Sequence, residues 1–220
     1  MLNSRLGDYP YRWRKSAAAA RRLINGPGMN RPLTLARRSF LAGNAATLAL
    51  IYSPRAAALT PWHVEETLAA HNRYRAAVGV PALQWSDNLA AGAQQWAYYL
   101  ASTGQLHHSD SRRRHPADGT PGVGENLTAV RYPSSRSFAI YGFYTVTQLV
   151  DTWGDENRYF IGGIFPNVSS TGNWEDVAHY TQIVWRNTTQ VGCAVATGDS
   201  IIVMVGRYSP PGNVDGQPVY

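Results

Sequence analysis

Apolar residues recur at helical spacing in three stretches of this chain. Val64, Leu68, His71, Arg75 and Val78 fall three or four residues apart, which predicts a helix over 64–78 that Gly79 and Pro81 stop. After a short extended segment, Pro81-Ala82-Leu83-Gln84-Trp85, Ser86 or Asp87 caps a second helix over 88–102. Leu89, Ala93, Trp96, Ala97 and Leu100 form its stripe, and Gly104 ends it. A third helix is expected over 143–157, with Val146, Leu149, Val150, Trp153 and Asn157 on one face.

The C-terminal part reads differently. Ala178-His179-Tyr180-Thr181-Gln182-Ile183-Val184-Trp185 is rich in β-branched and aromatic residues, which predicts a strand over 179–186 with His179 at its entrance. Further strands are expected over 192–196 and 201–208, joined by a turn at Thr197-Gly198-Asp199-Ser200. Residues 105–137 and 161–174 read as loops, and the tail from Ser209 as irregular. Helices first and antiparallel strands last predict an α+β fold, a sheet covered by helices.

Charge divides the chain in two. Of 20 Lys+Arg and 14 Asp+Glu, residues 1–58 hold ten basic and one acidic, a balance of +9; residues 59–220 hold ten and thirteen, a balance of −3. The overall +6 therefore does not argue for nucleic-acid binding by the main domain. The basic part reads as an export signal: Arg37-Arg38-Ser39-Phe40-Leu41, an apolar run to Tyr52, then Ala56-Ala57-Ala58. The paired arginines resemble a twin-arginine signal, with an ordinary Sec signal as the alternative. Met29 would then be the start that gives a signal of ordinary length. The expected organisation is a signal over 1–58 and a domain over 59–220, delivered outside the cell or to the periplasm, monomeric and without a transmembrane anchor. Cys193 is the only cysteine, so no intramolecular disulfide forms, as suits a protein folded before export.

Common catalytic motifs are missing. Gly122-Val123-Gly124 lacks the strand-to-helix setting of a phosphate loop, and no GxSxG or HExxH sequence occurs. Six histidines remain, at 63, 71, 107, 108, 115 and 179, and their spacing alone selects no ligand set.

Ala178–Thr188, "AHYTQIVWRNT", resembles the first signature of the CAP superfamily (cysteine-rich secretory proteins, antigen 5 and plant pathogenesis-related class 1 proteins). "VMVGRYSPPGNV" resembles the second, and "HNRYR" at 71–75, "HS" at 108–109, "GENL" at 124–127 and the Trp153/Glu156 pair fit in order. The resemblance implies a three-layer α-β-α sandwich with a mainly antiparallel central sheet. It also implies a cleft carrying His108, Glu125, Glu156 and His179, with His107 as the alternative first histidine. Three functions follow from it. The cleft would bind a divalent metal such as zinc; an apolar groove would bind a lipid or sterol; or a Ser109–His–Glu set would act as a protease-like hydrolase. The non-enzymatic binding module is the expected reading. The loop aromatics Tyr132, Phe138, Tyr141, Phe143, Tyr144, Phe160 and Phe165 are the candidates for the groove. Under the metal reading the imidazoles are neutral ligands and the glutamates place or activate water.

Overall fold

The computed structural model describes residues 61–110, 114, 122–132 and 144–220. All of them fall in the compact unit Ala45–Tyr220, one of two into which the chain divides. The export signal, the Met29 start and His115 lie outside the described residues.

The first two helices form where the apolar spacing places them. Helix α1 runs Pro61–Ala77. The short strand β1, Gln84–Trp85, precedes helix α2, Asp87–Thr103. The Ser86 side chain accepts from Leu89 N at the N-terminus of α2, and Gly104 closes the other end at φ 66. Strand β2, Gly124–Arg131, comes next. Helix α3, Val146–Gly154, opens on a Thr145/Gln148 capping box and runs on as a 3-10 turn over Asp155–Tyr159. The chain then forms helix α4, Ala178–Val184, and strands β3, Gln190–Thr197, and β4, Ile201–Ser209.

Two expectations are corrected here. The stretch around His179 is a helix, not a strand. Every residue from His179 to Val184 is buried, so its β-branched and aromatic content records all-round packing rather than a pleated surface. Tertiary contacts hold this short helix at both ends. At its start the Glu156 carboxylate accepts from the backbone N–H groups of His179 and Tyr180, at 2.9 and 3.2 Å. At its end Arg75 donates to the carbonyls of Ile183 and Trp185, at 2.8 and 2.9 Å. These partners satisfy terminal groups that a seven-residue helix leaves open, overriding local propensity.

The second correction concerns the sheet and the 105–137 loop. Within that loop lies β2, which pairs antiparallel with β4 along its whole length, from Gly124↔Tyr208 to Arg131↔Ile201. The strand order is β1-β3-β4-β2. β3 and β4 are antiparallel, but β1 joins β3 in parallel, so the sheet is mixed rather than the mainly antiparallel one expected. The parallel pairing follows from connectivity, because α2 and the β2–α4 region separate β1 from β3.

Each face of the sheet has its own core. Leu127, Ala194, Ala196, Val203 and Val205 pack with Ala93, Trp96, Ala97 and Leu100 of α2. The alternate residues Val130, Val191, Cys193, Met204 and Tyr208 pack with Ala70, Leu149, Val150, Trp153, Tyr180 and Ile183 from α1, α3 and α4. The tail is not a loose end: Val219 is buried, and its carbonyl accepts from Arg186 N at 2.8 Å. The "PPGNV" part of the second signature clasps α4. Gly212 N donates to Gln182 Oε1 at 2.9 Å, Asn213 Nδ2 donates to Ala178 O at 2.9 Å, and Thr181 Oγ1 donates to Asn213 Oδ1 at 2.7 Å.

Most of "HNRYR" is structural. Asn72 exchanges hydrogen bonds with Leu83, donating to its carbonyl and accepting from its N–H. Tyr74 and Arg73 both donate to Asp151 of α3. His71 and Arg75 are fully buried. The Tyr208 hydroxyl accepts from Asn126 Nδ2 at 3.2 Å and lies 2.9 Å from His71 Nε2. The Thr67 carbonyl can only accept, so neutral His71 carries its hydrogen on Nδ1, donates it there at 2.8 Å, and accepts the Tyr208 hydroxyl proton at Nε2.

Candidate functional site

Strand β2 begins between two histidine–glutamate pairs. Side chains alternate along it, so Glu125 shares the α2 face with Leu127, while Asn126 shares the opposite face with Val130. On the α2 face, His108 Nδ1 lies 2.9 Å from Glu125 Oε1. Ser109 donates to the same carboxylate twice, from its N–H to Oε1 at 2.9 Å and from its hydroxyl to Oε2 at 2.7 Å. The Glu125 side chain is 0% exposed and that of His108 36% exposed, so the imidazole forms the rim and the carboxylate the floor. Burial alone would push the Glu125 carboxyl up, but the His108 bond and charge and the two Ser109 bonds outweigh it and hold it below its ordinary value.

In the second pair, His179 Nδ1 lies 2.7 Å from Glu156 Oε1. The Trp153 ring stacks on the imidazole, with centroids 6.4 Å apart and planes at 21°. Asn126 Nδ2 donates to the His179 carbonyl at 3.0 Å, tying this pair to β2. Glu156 reaches α4 because α3 tightens into a 3-10 turn after Gly154.

The four expected residues thus form two histidine–glutamate pairs. Among the described residues, no three His, Cys, Asp or Glu side chains group closely enough to hold a metal ion. The His107 ring meets Trp96 edge-on at 5.2 Å and 76°, and its Nδ1 lies 3.0 Å from the His108 carbonyl oxygen. Gly124 stands in the β2–β4 ladder, opposite Tyr208. It makes room for Gln182, whose Oε1 would lie 2.0 Å from a Cβ at that position.

Two residues of the site lay outside the expected set in any binding role. Ser109 is 2% exposed and its hydroxyl is committed to Glu125. Adjacent His108 and Ser109 both turn to the same carboxylate, so no serine–histidine hydrogen bond of a hydrolase forms between them. Arg207 is the second; its Nη2 lies 3.5 Å from Glu125 Oε2. Its alternation with Val205 on β4 is the signal that places it on this face.

Of the candidate groove aromatics, Tyr132 and Phe165 are buried, and Tyr144 and Phe160 pack against the core. Phe138, Tyr141 and Phe143 lie outside the described residues. Among the described residues no helix is long and apolar enough to cross a membrane.

Residues 68–208 match the model of the cysteine-rich secretory protein family, CAP. The chain belongs to the CAP family. The CAP domain is 35% identical over 157 residues to pathogenesis-related protein 1C of Nicotiana tabacum, covering 71% of this chain and 80% of that protein. It is 34% identical over 150 residues to Golgi-associated plant pathogenesis-related protein 1 of Homo sapiens, covering 68% and 83%. Its fold is similar to that of BmVAL-1, with a TM-score of 0.61 at 24% identity, covering 74% of this chain and 83% of that one. It is likewise similar to NaASP2, solved with Zn2+, with a TM-score of 0.57 at 20% identity, covering 74% and 87%.

Proposed function

We propose that this is an exported, non-enzymatic CAP binding domain whose histidine–glutamate pairs take a divalent metal, zinc being the natural probe. The observation that carries the proposal is the commitment of both Nδ1 atoms to carboxylates, at 2.9 and 2.7 Å. A histidine that ligates through Nε2 characteristically gives its other ring nitrogen to a carboxylate, which fixes tautomer and orientation. His108 and His179 would therefore be the ligands, with Glu125 and Glu156 orienting them rather than binding directly. The donor chemistry suits zinc, but the described residues do not form a closed three- or four-ligand cage. Two imidazoles with water completing the coordination make an open site of modest affinity. The zinc in the NaASP2 structure is consistent with this reading. Bound metal would act as a Lewis acid, with His108 and His179 holding it and Glu125 and Glu156 orienting the imidazoles. Export by the twin-arginine route, with a bacterial origin, is part of the same proposal and rests on the 37–58 signal sequence.

Calorimetric zinc titration tests it. Wild type is expected to take up zinc saturably, His108→Ala and His179→Ala each to bind it more weakly, and the double variant to lose that uptake. Equal stoichiometry and affinity in wild type and the double variant would overturn the reading.

A further inference from the structure

Arg207 stands on β4 opposite Glu125 of β2 in the ladder register. Its Nη2 lies 3.5 Å from Glu125 Oε2 and 3.5 Å from Ser109 Oγ, with the side chain 14% exposed. Among the described residues its Nε is buried without a hydrogen-bond partner. A buried cation with an unsatisfied donor is costly, and an apolar side chain would fill the same space more cheaply. The surrounding fold nevertheless makes room for it. Gly92 sits in the interior of α2, where glycine weakens a helix, and a Cβ there would lie 2.6 Å from Arg207 Nη1.

We propose that Arg207 is a positioning residue for the Glu125–His108 pair, and that Gly92 is the gap in α2 that admits it. The proposal rests on the reading of His108 as a ligand through Nε2. The two carboxylate oxygens of Glu125 have separate partners. Oε1 takes His108 Nδ1 and Ser109 N, each at 2.9 Å. Oε2 takes the Ser109 hydroxyl at 2.7 Å and faces the guanidinium. Held at Oε2 by a hydroxyl and a cation, the carboxylate presents Oε1 squarely to the imidazole. His108 then keeps its hydrogen on Nδ1 and its lone pair on Nε2. Without the guanidinium the carboxylate turns, and the other tautomer becomes populated.

The test compares wild type with Arg207→Gln and Gly92→Ala by ring-nitrogen NMR of metal-free protein at a pH where the imidazoles are neutral, followed by zinc titration. Wild-type His108 is expected to be in the Nδ1–H form. Both variants are expected to populate the Nε2–H form and to bind zinc about tenfold more weakly. Gly92→Ala guards against a folding artefact. The guanidinium is the far end of a flexible side chain and swings aside, and alanine favours the helix, so thermal stability should equal or exceed that of wild type. Wild-type His108 ring shifts in both folded variants would overturn the proposal. Should wild type bind no zinc, the metal reading falls, while the ring shifts still decide the role of Arg207.

Discussion

Replacing Arg75 by methionine is expected to destabilise the domain by about 3–5 kcal/mol, measured by urea unfolding at neutral pH. Arg75 is fully buried, and four backbone carbonyls accept from it: Pro81 at 2.6 Å, Ile183 at 2.8 Å, Trp185 at 2.9 Å and Thr188 at 3.0 Å. Burial, with the Arg186 charge second, lowers its pKa to about 10, so it still carries its charge at neutral pH. Methionine fills much of the volume but leaves these acceptors unpaired, and each unsatisfied buried acceptor costs about 1–3 kcal/mol before water relieves part of the loss. Lysine would rescue little, because a single ammonium cannot match the spread of a guanidinium over four carbonyls. The loss also reaches the site, because two of those carbonyls close α4, which carries His179. A change below about 1 kcal/mol, the size expected of an ordinary surface position, would show that α4 does not depend on this residue.

The second large effect is one of pH. An unfolded imidazole takes its proton near the ordinary value of 6.5, whereas folded His71 stays neutral down to about 4. Burial is the largest cause; the Thr67 carbonyl works against it, and the charge of Arg75 reinforces it. A proton on Nε2 would also displace the Tyr208 hydroxyl hydrogen that points there. Between pH 6.5 and 4 the unfolded chain therefore holds a proton that the folded chain refuses. The stability is fully present above the upper value and is lost as pH falls toward the lower. The loss amounts to about 3 kcal/mol, at 1.36 kcal/mol for each unit. Glu125 is depressed below the ordinary carboxylate range, so its contribution fades only in more acid solution. Urea unfolding at pH 7 and 4.5 should show the loss in wild type and a much flatter dependence in His71→Leu, which starts from a lower stability. Parallel slopes in the two proteins would contradict the assignment.

Both residues show what was legible in the chain and what was not. His71 and Arg75 were visible as two points on an amphipathic face, and α1 and α2 formed where that face and the Ser86 and Gly104 signals put them. Their long-range hydrogen bonds span 108 to 137 positions, and no local pattern encodes them. The same holds for α4. Its residues favour strands, and tertiary partners, Glu156 at one end, Arg75 at the other and Asn213 alongside, hold it as a helix. Strand β2 was hidden among glycine- and proline-rich flanks, because its stability comes from a register with β4 rather than from its own composition. The four site residues were legible through family resemblance, not through spacing. Their pairing, His108 with Glu125 and His179 with Glu156, joins residues 17 and 23 positions apart and shows only in the folded chain.

The central claim is that His108 and His179 offer Nε2 to a metal while Glu125 and Glu156 hold Nδ1. Zinc-edge X-ray absorption of the zinc-loaded protein tests it most directly. The account predicts a first shell of two imidazole nitrogens at about 2.0–2.1 Å with oxygens from water, and loss of one imidazole in each single histidine variant. A first shell without imidazole, or one unchanged in His108→Ala and His179→Ala, would contradict it.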